Sequence, residues 1–355
     1  MLFVTQQRLT IPALHPSLPG ATATHGHNYT LIAGVSGAVR PEGVLVDHAL
    51  LAARLAELRP AAVSSDTVDA LWAGLQSGWP AGFDAHHLAL VEAGGAGGLR
   101  TAAEGALYVH PGYFSAAHRT HAPRLSDAEN RALYGICDNP AGHGHNYRVT
   151  VWHPALTDLP PAVWAEFDHR NLSVDLPDLR GRNVVTEALA ELIARRVPGA
   201  ARVRVWETDT FYAEFETATG AYTLGRRYTF SAAHQFGSTP ARVDVYGPCA
   251  AAGRHGHDFT LAVAVTVPAL DPLTETAFDL GRVDRAAAGV LADLHEADLD
   301  NGVSWLSGGP ATPERLTERI GERLTAELGD VLSQVGVWAW PDHAAWLFRG
   351  NDGKR

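Results

Sequence analysis

Three stretches of the chain alternate apolar and polar residues directly after a His-Gly-His tripeptide: HGHNYTLIAGV from His25, HGHNYRVTVWH from His143 and HGHDFTLAVAV from His255. Alternation with period two, rich in β-branched and aromatic residues, predicts a strand with one buried face. Upstream, YFSAAHR (113–119) and YTFSAAHQ (228–235) are nearly one sequence, with a looser echo, LTIPALHP, ending at His15 and Pro16. Each unit closes on a strand–turn–strand pattern: LALVEAGGAGGLR (88–100), VRVWETDTFYAEF (203–215) and VGVWAWPDHAAWLF (335–348). Before these closing pairs, apolar residues recur at helical spacing in SSDTVDALWAGLQ (64–76), NVVTEALAELIARRV (183–197) and ATPERLTERIGERLTAEL (311–328). The chain therefore reads as tandem copies of strand, strand, helical region, strand, strand, an α+β plan with an antiparallel sheet and helices on one face. Small-residue joints near 101–107 and 217–223 set the units at 1–105, 106–220 and 221–355, and joints this short predict rigid tandem packing.

Composition narrows the function classes. Over 355 residues, 46% are hydrophobic and 19% charged, enough to bury real cores and to exclude a disordered chain. The net charge is −11 and Lys354 is the sole lysine, so no polybasic stretch exists to hold nucleic acid or an anionic membrane. No apolar run reaches membrane-spanning length, and the opening MLFVTQQRLTIPALHP lacks the layout of a signal peptide. Two cysteines exclude a disulfide framework, and the expected compartment is the cytoplasm.

The histidines carry the chemistry. On a strand, residues i and i+2 share a face, so His143 and His145 project side by side. His118 ends the preceding strand, where antiparallel pairing brings it alongside. Three neutral imidazoles with a fourth position open form the usual catalytic Zn²⁺ arrangement, whereas structural sites are closed by four ligands. The same reading gives His15, His25 and His27 in the first unit and His234, His255 and His257 in the third. The bland alternative, a polar strand or turn, is weakened by recurrence in register with an upstream histidine. Cys137 precedes His143, and Cys249 precedes His255, by the same offset, and each follows a Tyr-Gly pair. Such a thiol serves as base or nucleophile, or else as a fourth metal ligand.

At this point the residues resemble the 6-pyruvoyl-tetrahydropterin synthase family, which includes the 6-carboxy-tetrahydropterin synthases of the queuosine pathway. The second unit is the nearest match, with FSAAH, the spaced cysteine, HGHNY, FDHRNL (167–172), a Thr-Glu helix start and VWET (205–208). The resemblance implies a tunnelling fold in which three units form a pseudo-trimeric β-barrel, here within one polypeptide, and two such rings stacked as a homodimer. It also implies Zn²⁺ on His118, His143 and His145, Cys137 as the proton-abstracting thiolate, Asp168 and His169 as its acid–base partners, and Glu207 as the carboxylate that grips a small-molecule pterin. The expected reaction is loss of triphosphate from 7,8-dihydroneopterin triphosphate. The alternatives are the carboxy-forming reaction and a degenerate, non-catalytic ring that binds a pterin or purine.

The units depart from the pattern unequally. The first has its histidines and Glu92 at the place of Glu207, but no cysteine before His25. The third has Cys249, but LHEADLD (294–300) puts His295 and Glu296 where the aspartate–histidine pair belongs, and Ala339 where the glutamate belongs. Incomplete units are expected to complement one another, leaving one fully competent site, or two, per ring.

Overall fold

The structure, a computed structural model, describes residues 1–16, 24–59, 67–155, 159, 161–236, 242–250 and 253–350. In chain order the strands are β1 (Leu2–Pro16), β2 (Thr24–Gly37), β3 (Asp84–Glu92), β4 (Gly97–Thr101), β5 (Ala106–His118), β6 (His143–His153) and β7 (Arg170–Asn171). They continue with β8 (Arg202–Thr208), β9 (Phe211–Glu216), β10 (Tyr222–His234), β11 (His255–Val267), β12 (Leu332–Trp340) and β13 (His343–Phe348). The stretches following His-Gly-His are β2, β6 and β11, and the closing pairs are β3–β4, β8–β9 and β12–β13.

The chain divides into two compact units, one of residues 1–107, 228–263 and 282–355, the other of residues 108–227 and 264–281. In the first, strand order is β4-β3-β2-β1-β13-β12-β11-β10; in the second, β9-β8-β6-β5-β7, with the start of β10 pairing β9 from Tyr222↔Phe215 to Arg226↔Phe211. Pairing is antiparallel throughout β5–β6–β8–β9 and β2–β1–β13–β12, while the two-residue β7 runs parallel to β5 and an isolated parallel bridge joins Ala233 to Asp298. This is the α+β tunnelling plan, an antiparallel sheet carrying helices on one face.

The helices are amphipathic, and their buried stripes build the cores. Helix Thr186–Arg196 lays Leu189, Leu192 and Ile193 against Tyr147, Val149, Val203 and Val205. Helix Pro313–Leu328 starts at a Thr312 cap that accepts the Arg315 amide, and buries Leu316, Ile320, Leu324 and Leu328 at one-turn spacing. Helices His48–Glu57 and Thr67–Gln76 cover Leu31, Leu88 and Leu90. Each fully buried leucine of these cores is worth roughly 1.5–3 kcal/mol of transfer free energy. The second unit has only the short helix Pro161–Ala165 between its His-Gly-His strand and Asp168, in line with its trimmed sequence. Among the described residues no helix is long and apolar enough to cross a membrane.

Glycine between the paired histidines has a steric cause. A Cβ at Gly144 would come within 3.2 Å of the Ala116 carbonyl oxygen, and one at Gly256 within 3.1 Å of the Ala232 oxygen. A side chain at either position would press on the neighbouring strand's backbone, whereas at Gly26 a Cβ would meet nothing within 4 Å.

Candidate active site

In the second repeat β5 and β6 pair with His118 directly opposite His143. Alternation then puts His118, His143 and His145 on the helix-covered face, with ring centroids 4.5–5.3 Å apart. One nitrogen from each ring lies within 4.8 Å of the others. His118 Nδ1–H donates to the Val184 carbonyl at 2.7 Å, which fixes the tautomer and turns Nε2 toward the other rings. His118 Nε2, His143 Nδ1 and His145 Nε2 are buried without a hydrogen bond. Three buried nitrogen lone pairs converging on one point fit a divalent cation, because an unsatisfied buried polar atom is otherwise expensive. Burial, foremost, holds His118 and His143 below the usual imidazole range, so both stay neutral, as metal ligands must be.

Carboxylates adjoin the trio. Glu207 Oε1 lies 3.5 Å from His145 Nε2, and its other oxygen accepts the Thr186 hydroxyl. Beside Thr186, Glu187 is buried, and Oε1 accepts the Ala277 amide at 3.0 Å. Burial, opposed by two backbone amides and reinforced by the Glu207 charge, pushes its carboxyl up to about 7. Glu187 was absent from the sequence-derived site. Its signal was the Thr-Glu helix start, which reads equally well as an ordinary helix beginning.

Cys137 lies half-buried in the 3₁₀ turn Gly135–Asp138, outside the ligand cluster. Burial first, and then the Glu207 charge, raise its thiol. The turn is tied back to the segment after His118. Thr120 N–H donates to the Cys137 carbonyl at 3.0 Å, and the buried Asp138 accepts from Arg119 at 3.0 Å and His121 at 2.8 Å. Asp138 is a second residue that sequence reasoning missed, since an aspartate after a cysteine carries no pattern of its own.

Asp168 and His169 are paired with each other, Oδ2 to Nδ1 at 2.8 Å. Asp168 Oδ1 accepts the Ser115 amide at 2.9 Å, while the His169 amide donates to the Ser115 carbonyl at 2.6 Å. The His169 side chain is 82% exposed and its φ is +55°, a conformation that favours glycine. The two side chains are hydrogen-bonded to each other at the edge of β5, outside the cluster of His118, His143 and His145. The third repeat copies this backbone: Ser231 N–H donates to His295 Nδ1 at 3.2 Å, the Glu296 amide donates to the Ser231 carbonyl, and Glu296 has φ +58°. Glu296 therefore stands where His169 stands.

The third repeat gathers His234, His255 and His257 with ring centroids 4.7–4.9 Å apart. Cys249 joins them, Sγ lying 3.3 Å from His257 Nε2. Burial lowers His234 to about 4 and pushes the Cys249 thiol up to about 11. Where Glu207 stands in the second repeat, Ala339 is buried, and the next residue, Trp340, stacks on His343 at 5.2 Å. In the first repeat, β1 and β2 set His15 opposite His25, but the side chains of both lie outside the described residues. His27 Nδ1 is 3.9 Å from Glu92 Oε2, so this glutamate does face its repeat's histidine strand.

The 6-pyruvoyl tetrahydropterin synthase family profile matches this chain twice, over residues 108–218 and 223–349. The 6-pyruvoyl tetrahydrobiopterin synthase of Poecilia reticulata is 40% identical, over 27% of this chain and 80% of its own length, and that of Homo sapiens 38% identical, over 27% and 81%. A solved 6-pyruvoyl tetrahydropterin synthase from Caenorhabditis elegans aligns at 23% identity and TM-score 0.33, over 37% of this chain and 96% of its own. Each profile match encloses one described histidine trio with its cysteine, and together the matches span more than half of the sequence, so the chain belongs to the 6-pyruvoyl tetrahydropterin synthase family.

Proposed function

We propose that this protein is a zinc-dependent lyase that converts 7,8-dihydroneopterin triphosphate to a 6-pyruvoyl-type tetrahydropterin with loss of triphosphate, and that the second repeat is its working centre. The observation that carries the reading is the convergence of three buried, hydrogen-bond-free imidazole nitrogens beside Glu207, with a thiol on the adjoining turn.

His118, His143 and His145 would hold Zn²⁺ with one coordination position open. A metal held there would supply Lewis acidity toward the oxygens of the substrate side chain, which would acidify the neighbouring C–H. The protein's own residues do the rest. Glu207 accepts parallel N–H bonds from the pterin N3 and 2-amino group, and Thr186 holds that carboxylate in place. Glu187, buried beside Thr186 and raised to about 7, adds a second acceptor once its proton has left. Cys137 takes the carbon-bound proton once deprotonated, and the Asp138 clamp fixes the turn that aims it. The Asp168–His169 pair is proposed to relay protons, with the aspartate fixing the imidazole tautomer. Elimination of triphosphate and internal movement of hydrogen balance the reaction without an external reductant. Arg148 and Arg254 are paired with Asp209 and Asp298, so a triphosphate would have to displace these ion pairs to bind them.

The test is incubation of the purified full chain with 7,8-dihydroneopterin triphosphate, with and without chelator, following triphosphate release and the pterin product. Chelator-sensitive formation of the pyruvoyl product supports the reading. A carboxy product transfers the assignment to the carboxy-forming reaction, and no turnover in any metal state leaves a pterin-binding ring.

A further inference from the structure

We infer that the third repeat's centre is a closed, four-coordinate His₃Cys metal site in which Cys249 is the fourth ligand, so that this centre staples the fold. The inference concerns a different site from the proposed catalytic one and holds whether or not the second repeat turns over a pterin.

Two of the donor separations are already close to those of a tetrahedral site. Zinc with N at about 2.0–2.1 Å and S at about 2.3 Å sets neighbouring donors roughly 3.3–3.6 Å apart. His234 Nε2 and His255 Nε2 are 3.2 Å apart, Cys249 Sγ and His257 Nε2 are 3.3 Å apart, and all four donors lie within 4.8 Å of one another. The outer hydrogen bonds are also in place. His234 Nδ1 faces the Ala311 carbonyl at 3.3 Å and His255 Nδ1 the Gly253 carbonyl at 2.8 Å, leaving Nε2 of each toward the centre.

Two differences from the second repeat explain why the sulfur joins here and not there. The residue after Cys137 is Asp138, tied to Arg119 and His121; the residue after Cys249 is Ala250, which has nothing to tie. The turn Gly247–Ala250 instead packs Cys249 and Ala250 among Val44, Phe236, Val245 and Tyr246, and Cys249 is 3% exposed. Second, the place of the Glu207 carboxylate is filled: Val44, His48, Tyr246, Glu314, Trp340 and His343 enclose only about 10 Å³ of free space, room for about one water. A wider open cleft of about 610 Å³, lined by Ser231, Asp258 and Glu296, does reach His257, so it is the sulfur and not the packing that closes the centre. A bound ion with all four ligands would tie β10, β11 and the Gly247–Ala250 turn together.

Cobalt(II) replacement tests this without substrate. The metal-free full chain, reloaded with cobalt(II), is expected to show a near-ultraviolet thiolate-to-cobalt charge-transfer band and the intense visible bands of four-coordination. The chain has two cysteines, so a band retained in Cys137→Ser assigns the sulfur to Cys249 even if other variants fold poorly. Cys249→Ser is expected to reduce the thiolate band to background while the remaining histidine trio still takes up cobalt(II). A parent protein without the thiolate band, a band lost in Cys137→Ser, or one surviving in Cys249→Ser would overturn the inference.

Discussion

In the second repeat an aspartate buried between Arg119 and His121 holds the cysteine turn away from its histidine trio; in the third, alanine takes that place and the cysteine lies among the ring nitrogens. The same comparison runs through the rest of each centre. Glu207 sits 3.5 Å from His145, whereas Ala339 presents no carboxylate and Trp340 fills the neighbouring space. Both repeats keep the strand pairing that makes a trio, and both keep a buried glutamate at the helix start, Glu187 and Glu314. What differs is a handful of side chains around the trio. In the reading proposed here they would decide whether a metal corner is open beside a carboxylate or closed by sulfur, since a repeated scaffold need not repeat a function.

The most direct way to break this comparison is to remove a ligand from each trio. His143→Ala is expected to abolish product formation, a loss of at least several kcal/mol of charge stabilisation and hence about a thousandfold or more, whereas His255→Ala leaves turnover within about twofold but lowers the thermal midpoint. Steady-state assays beside thermal melts read both, and equal loss of turnover in the two variants would erase the distinction.

The thiols come next. Cys137→Ala is expected to lower kcat by about a thousandfold, within the usual range for a lost acid–base group, with pterin binding retained, while Cys249→Ala leaves kcat unchanged. Matched kcat losses would mean that both cysteines do chemistry.

The buried glutamates sharpen what the centres share. In the zinc-free fold the Glu187 carboxyl, raised to about 7, keeps its proton where the unfolded chain, near 4.5, has lost it. Its contribution to stability is full below pH 4.5 and is lost as pH rises through about 7. Glu187→Gln is therefore expected to leave stability unchanged at pH 4 and to raise it at pH 8 by on the order of 3 kcal/mol in urea unfolding. Burial raises Glu314 as well, so Glu314→Gln should act in the same direction.

The smallest effect is steric. Trp340→Ala should cost about 2 kcal/mol of stability, because a partly buried ring leaves a cavity among His48, His257 and His343, with turnover unaffected. A turnover change would place Trp340 in a working site.

Legibility varied with the range of the interaction. Strand periodicity placed His143 beside His145, and the tripeptide's recurrence placed β2, β6 and β11; these are local properties, fixed by backbone alternation. That His118 would lie alongside was readable from the expectation of antiparallel neighbours, but the register that sets it opposite His143 was not, because residues 119–142 separate the two strands. Asp168 and His169 are readable as a pair because they are neighbours in the chain, but their place at the exposed edge of β5, outside the ligand cluster, depends on tertiary packing. Glu187 and Asp138 went unnoticed for a related reason: a carboxyl becomes chemically informative only when burial and distant partners perturb it.

The sequence by itself determined the repeat, the strand and helix order, the histidine trios and the family, since all rest on spacing along the chain. Only the tertiary structure decided which cysteine enters a ligand cluster and which buried acid keeps its proton. Those outcomes depend on distances of a few ångströms between residues far apart in the chain, and on the desolvation that packing imposes on them.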